Sequence, residues 1–384
     1  MDLVERALTT EHREVREIAD EFATEVVAPR AEEIEQSDEF PRDVMESAGQ
    51  YGLLGILFPE EYGGLDSDFL AYCLAVERVA EESGAVAESI QGHTFAALPI
   101  SRSGTDAQRE QYLEAMIAGE SIGAMLLTEP NAGSSPGDLE TIAEETDDGY
   151  VLTGEKAFGT NAGVADTHLV VARKRPQPDD SHGVSVFLAP SVDNVEGFRF
   201  DRTGFMGMRG HVTGDSILDG VKVPEGAVLG EIGAGFRIAM GTIDMARTGL
   251  SAIGVGIARA AFDRAVDYAG SREQGGNPVG EYQAVQVLVA DMDARLDAAR
   301  HLVYASAAAI AEDKGDTRRS SKAKFVASDT AEFVTRNAMQ VYGGQGYRKD
   351  LPLERYYRDA RILGIIGGTT EIQKTTVARQ TLDL

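Results

Sequence analysis

A chain of 384 residues, 43% of them hydrophobic, exceeds one compact domain, so two or three domains around a large core are expected, with room to bury a cofactor. The net charge of −27 comes from 63 acidic against 36 basic residues, eight of the latter being lysine; it excludes a nucleic-acid or anionic-membrane surface. Acid spread along every helix points to a halophilic protein whose self-repulsion is screened by salt.

The single cysteine, Cys73, rules out an internal disulfide framework and a cysteine metal cluster, and reads as a small buried hydrophobe on a helix. The start, "MDLVERALTTEHREV", has neither a basic region nor an apolar core, and runs such as "LLGILF" are too short to span a bilayer, so a cytoplasmic protein without membrane insertion is expected.

In chain order, Val15, Ile18, Ala19, Phe22 and Val26 recur at helical spacing before Pro29, predicting an amphipathic helix from residue 9 to about 36. "PRDVMESAGQYG", "DFLAYCLAVERVAEES" and "TDAQREQYLEAMIAG" read as further helices, so residues 1–120 form an all-α domain. Short β-branched runs follow: "SIGAMLLTEP", "YVLTGEKAFG", "THLVVARK", "GVSVFLAP", "FRFDRTG" and "GDSILDGVKVP". They predict a central antiparallel β domain over 121–232. From 233 to 384 the pattern returns to helices, over roughly 234–270, 281–313 and 320–342, then a turn and a last helix. In the second of these, Val285, Leu288, Met292, Leu296, Ala299 and Val303 form a stripe suited to bundle packing and a subunit interface.

Six scattered histidines, no HExxH and no GxSxG elbow exclude metal-hydrolase and serine-nucleophile readings. "GEIGAGF" lacks the spacing and βαβ context of a dinucleotide fingerprint. Two stretches pair polar donors with an aromatic. "LLTEPNAGSS" turns through Asn131, Gly133 and Ser134, and "EKAFGTNAG" sets Phe158 two residues from Thr160, an arrangement that suits a flat heterocycle.

These motifs, with "MGMRG", "VKVPEGAVLG", "TIDMARTGLSAIGVGIARAAFDRAVDYA", "QVYGGQGY" and "RDARILGIIGGTTEIQ", in this order and spacing, resemble the FAD-dependent acyl-CoA dehydrogenase family over nearly the whole chain. The resemblance implies an α+β multidomain fold of N-terminal helical domain, central β domain and C-terminal four-helix bundle. It implies a homotetramer in fatty acid metabolism, passing electrons to an electron-transferring flavoprotein. It sets FAD against Met125, Leu127, Thr128, Ser134, Phe158, Gly159 and Thr160, with Thr160 facing flavin N5 and Phe158 where many members have tryptophan. Arg272, Gln340 and Gly344 match contacts to the neighbouring subunit's cofactor, although glycine follows Arg272 where an aromatic is usual. Thr369, Thr370 and Glu371 match a cofactor contact at a helix start. Ser134, Asp244, Arg247 and Gly368 match acyl-CoA contacts, while on residues alone Asp244 and Arg247 read equally as a helix-face charge pair.

Dehydrogenation needs a carboxylate base at the substrate Cα. The resemblance offers two positions for it, and here they hold Gly367 and Ala246. Gly367 keeps its N–H for the thioester oxygen. Asp244 and His93, the latter in "SIQGHTF" read as a loop near the acyl pocket, are candidate bases. Gly367→Glu is expected to raise turnover if the rest of the site is ordinary. Two further readings are a flavin oxidase or monooxygenase, which needs no α-base, and a non-catalytic subunit of a hetero-oligomeric dehydrogenase.

Overall fold

The structure, a computed structural model, describes residues 8–135, 137–175 and 183–384. Helix α1 (Thr10–Phe22) opens with a capping box: Thr9 Oγ1 accepts from the His12 N–H, and the Thr9 N–H donates to His12 Nδ1, both at 3.2 Å. It runs into a π-helical turn (Ala23–Val27), then α2 (Ala31–Ser37) and α3 (Arg42–Gln50). Helices α4 (Phe69–Glu82) and α5 (Gly84–Ser103) are separated by one residue, Ser83, whose side chain caps α5 by accepting from the Val86 N–H. Helix α6 (Asp106–Ile117) completes the domain. Cys73 is fully buried on α4, as expected.

Helix α5 corrects the reading of residues 91–93 as a loop. The stretch is the middle of a 20-residue helix that carries Pro99 within it. Gly84, Gly92 and Pro99 read as breakers, and because 84–100 is buried almost all round, no polar face marks the helical period.

Strands β1 (Gly123–Leu126), β2 (Ile142–Thr146), β3 (Gly149–Lys156), β4 (Thr167–Arg175), β5 (Val184–Pro190), β6 (Phe198–Arg202), β7 (Gly214–Pro224) and β8 (Val228–Leu229) make one sheet. Its order is β6-β7-β3-β2-β4-β5-β8, with β1 on β4. The sheet departs from purely antiparallel pairing at β4: β1 runs parallel to its first half, 167–170, and β2 parallel to its second, 173–175. Two short strands thus lie end to end on one long neighbour, and the described parts of the connection between them, 127–135 and 137–141, lie beside the site.

The C-terminal domain holds α7 (Gly235–Gly241), α8 (Ile243–Ser271), α9 (Gln283–Ala311), α10 (Thr317–Tyr342), α11 (Leu353–Ile362) and α12 (Thr370–Thr381). Helices α8, α9 and α10 pack on one another, α12 packs on α10, and α4 and α5 dock onto α8. The predicted α9 stripe is divided: Met292, Leu296, Ala299 and Val303 are fully buried, while Val285 and Leu288 are half-buried. Gly275 and Gly276, beside Arg272, have φ of 61° and 88° and form the turn of a two-stranded hairpin. Positive φ at both central residues of such a turn selects glycine over an aromatic. No helix among the described residues is long and apolar enough to cross a membrane.

Candidate active site

The site lies where the three domains meet. Met125, on β1, and Leu127 and Thr128, just beyond it, are half-buried. The Ala157 N–H donates to the Thr128 carbonyl at 2.8 Å, which joins the two aromatic-and-donor segments of the sequence. Phe158 and Asn161 both hold left-handed backbone, φ 59° and 63°, a strain that residues other than glycine rarely carry. Asn161 meets that cost with its side chain, donating to Ser89 O on α5 at 2.9 Å. Phe158 is 59% exposed and lies edge-on to Phe205. An uncovered ring on a strained, anchored turn fits a site that receives the face of a flat heterocycle.

Behind this turn the helices approach closely. A Cβ on Gly92 of α5 would stand 2.1 Å from Thr160 Cγ2, and one on Gly249 of α8 would stand 2.3 Å from Gln91 Oε1. Only glycine permits either approach. Gln91 Oε1 and Arg247 Nε are buried with no hydrogen-bond partner among the described residues. A bound molecule or an ordered water at this place would supply the partners these two atoms lack.

The C-terminal turn closes the same space. Gly367 and Gly368 have φ of 64° and 87°, and Thr369 caps α12 by accepting from the Ile372 N–H at 3.4 Å. Gln373 Nε2 donates to both glycine carbonyls at 3.0 Å. Lys324 of α10 donates to Gly368 O at 3.3 Å and to Leu363 O. The Gly367 N–H makes no hydrogen bond among the described residues and stays available to an oxyanion.

The two candidate bases are corrected. Asp244 is spent inside the chain: Oδ1 accepts from Ser320 Oγ at 2.8 Å and Arg247 Nη1 at 3.1 Å, and Oδ2 from Thr317 Oγ1 at 2.8 Å. Asp244 and Arg247 form a charge pair on α8, with Arg247 Nε left without a partner among the described residues. His93 is fully buried, its Nδ1 accepting from the Gly123 N–H at 3.2 Å. Burial pushes its pKa down to about 4, so it stands as a packing group under β1. Ser134 lies on an exposed loop, and Arg272, Gln340, Gly344 and Glu371 face solvent in the single chain. Two titratable groups outside the quoted motifs, Glu88 and Lys324, are buried, at 6% and 0% exposure, and Lys324 Cε lies 3.8 Å from where a Cβ on Gly367 would stand. A lone glutamate in the otherwise small and apolar "GAVAESIQG" was the sequence signal for the first.

Against known proteins, residues 9–120 match the acyl-CoA dehydrogenase N-terminal domain, 124–221 the middle domain and 233–382 the C-terminal domain. An acyl-CoA dehydrogenase of Bacillus subtilis (strain 168) is 38% identical over 377 residues, 98% of this chain and 99% of the relative. The solved butyryl-CoA dehydrogenase from Megasphaera elsdenii superposes with a TM-score of 0.93 at 37% identity, covering 100% of both chains. A chain in a structure described as the electron transferring flavoprotein of Acidaminococcus fermentans gives 0.94, also at 37% identity with 100% of both covered. Domain order and full-length identity agree, and the chain belongs to the acyl-CoA dehydrogenase family, as an oxidoreductase.

Proposed function

We propose that this chain catalyses the FAD-dependent α,β-dehydrogenation of an acyl-CoA thioester, with Gly367 in the position of the family's usual base. The observation that carries the reading is the convergence of Thr160, Gly92, Gly249 and Gly367 on one space that retains partnerless polar atoms at Gln91 and Arg247. FAD, when bound, accepts the hydride leaving the substrate Cβ. Met125, Leu127, Thr128, Phe158, Gly159 and Thr160 hold its ring system, with Ser134 beside it. Arg272, Gln340 and Gly344 reach a neighbouring subunit's cofactor in a homotetramer, and Thr369, Thr370 and Glu371 contact the cofactor at the start of α12. Arg247, Asp244, Ser134 and Gly368 line the acyl-CoA path, and the free Gly367 N–H polarises the thioester oxygen. The likeness to a chain from an electron transferring flavoprotein structure supports such a flavoprotein as electron acceptor. The setting is cytoplasmic fatty acid metabolism.

The purified FAD-loaded protein is expected to be yellow, and anaerobic addition of acyl-CoA from a panel of chain lengths is expected to bleach the flavin absorbance. Bleaching by reduced nicotinamide or reduced flavin alone would assign the oxygen-using oxidase or monooxygenase reading. Failure to bind FAD would assign a non-catalytic subunit.

The surface charge of −27 with eight lysines supports a halophilic origin. Screening of like charges then contributes to stability. The melting temperature is expected to rise steadily from low to molar KCl; a flat or falling curve in calorimetry removes the halophilic reading.

A further inference from the structure

Helix α5 passes the site from the flavin-facing turn to the acyl end. Gly92 lies against Thr160 and Gln91 against Gly249. Glu88 precedes Gly92 by one helical turn, a rise of about 6 Å. Its Oε2 accepts from Gln91 Nε2 at 3.3 Å. On the other side Lys324 is the charge that acts on Glu88, and a Cβ on Gly367 would lie 3.8 Å from Lys324 Cε. Lys324 thus stands beside the Gly367 turn and acts on Glu88 through space rather than through an ion pair. A side chain on that turn would be strained, because Gly367 has φ 64° and the same Cβ would stand 2.5 Å from Leu250 Cδ1, which would have to shift.

We propose that Glu88 is the base that removes the substrate α-proton, supplied from helix α5 to the space that residues 246 and 367 leave without a carboxylate. The assignment rests on the dehydrogenase reading above. The α C–H bond breaks, its proton ends on the Glu88 carboxylate and its electron pair becomes the second bond between Cα and Cβ. The hydride leaving Cβ passes to the flavin, so the products are enoyl-CoA, reduced flavin and protonated Glu88. Lys324 is held by Leu363 O and Gly368 O, and burial, with Arg247 nearby, pushes its ammonium down to about 8, so its charge is present below that pH and is lost above it.

The charged and titratable groups facing Glu88 are Lys324 on α10 and Tyr72 on α4, with Arg247 of α8 behind Lys324. Burial pushes Glu88 up to about 8, and the Lys324 ammonium opposes the shift. A carboxylate base acts deprotonated, so kcat/KM is expected to rise with pH through about 8.

In anaerobic stopped-flow, Glu88→Gln, loaded with FAD and still binding acyl-CoA, is expected to reduce its flavin about a hundred- to ten-thousandfold more slowly than wild type. Reduction within tenfold of wild type overturns the assignment. A second measurement needs no variant. Wild-type holoenzyme is treated with a 3-alkynoyl-CoA, whose α-proton the base removes and returns at Cγ to give the 2,3-allene. The carboxylate then adds to Cβ, and a solvent proton neutralises Cα, leaving an ester of unchanged reagent mass. Fragment mass spectrometry is expected to find that ester on Glu88. An ester on another residue, or none while acyl-CoA still bleaches the flavin, overturns Glu88 as base. Labelling of Glu88 in a protein that acyl-CoA does not bleach supports the base and sinks the dehydrogenase reading instead.

Discussion

Gly367→Glu is expected to lower the melting temperature and to leave flavin reduction unchanged or slower, although it puts a carboxylate at the position proposed above to lack its base. The structure reverses the sequence expectation that this substitution raises turnover, for two reasons. Gly367 has φ 64°, and holding any other residue there costs roughly 1–3 kcal/mol. A Cβ would also meet the buried Leu250 Cδ1 at 2.5 Å, and displacing a packed methyl costs about 1–3 kcal/mol more. Both costs arise at Cβ, so Gly367→Ala should lose nearly as much stability as the glutamate. Calorimetry at matched protein concentration, with FAD content checked, reads the first effect, and stopped-flow with acyl-CoA reads the second. A Gly367→Glu protein as stable as wild type and faster in reduction would show that the position is open to a side chain.

That reversal marks the limit of what the sequence carries. The three-domain order was legible because its signals are local: caps and 3.6-residue stripes at both ends, β-branched runs between turn residues in the middle. The site segments at 125–128, 158–160 and 367–371 were legible through the motif resemblance, and the structure brings them to one place. Glu88 was not legible, because helix α5 is buried on all sides and interrupted by Gly92 and Pro99. Neither period nor cap near residue 88 tells which neighbour that carboxyl faces. The parallel pairing of β1 and β2 on β4 was hidden for a related reason: strand runs record alternation and length, whereas partner and direction depend on the 127–141 connection. Asp244 and His93 drew attention as titratable groups near the motifs. Only tertiary structure shows what each does: Thr317 and Ser320 occupy the carboxylate of the first, and full burial pushes the second, whose Nδ1 accepts from the Gly123 N–H, well below its ordinary pKa.

Lys156→Met should destabilise the protein by about 3–5 kcal/mol, the usual cost of removing one partner of a buried ion pair. The Lys156 side chain is fully buried, with Nζ 2.7 Å from Glu129 Oε1 and 3.2 Å from Leu127 O. Glu129 also accepts the Glu140 N–H at 2.6 Å and the Thr141 N–H at 3.0 Å. One carboxylate thereby closes the 127–141 connection, and one lysine ties it to the end of β3 beside Phe158. Burial pushes the Glu129 carboxyl up, but the hydrogen bonds from Lys156, Thr141 and Glu140 outweigh it and hold the group below its ordinary range. A carboxylate lowered on folding contributes stability that is fully present above its unfolded pKa and is lost as pH falls through the folded one. Without Lys156 the Glu129 pKa rises toward or above its unfolded value, so the stability this group loses in acid should be smaller in Lys156→Met than in wild type, and the gap between the two proteins should narrow as pH falls. Methionine keeps the length of the buried stem, which leaves the charge as the main change. Pairing it with Glu129→Gln removes the stranded carboxylate, so the double variant should be less destabilised than the sum of the single ones. Melting curves across pH for the four proteins test this; strict additivity, or a gap that does not narrow in acid, would assign the effect to packing alone.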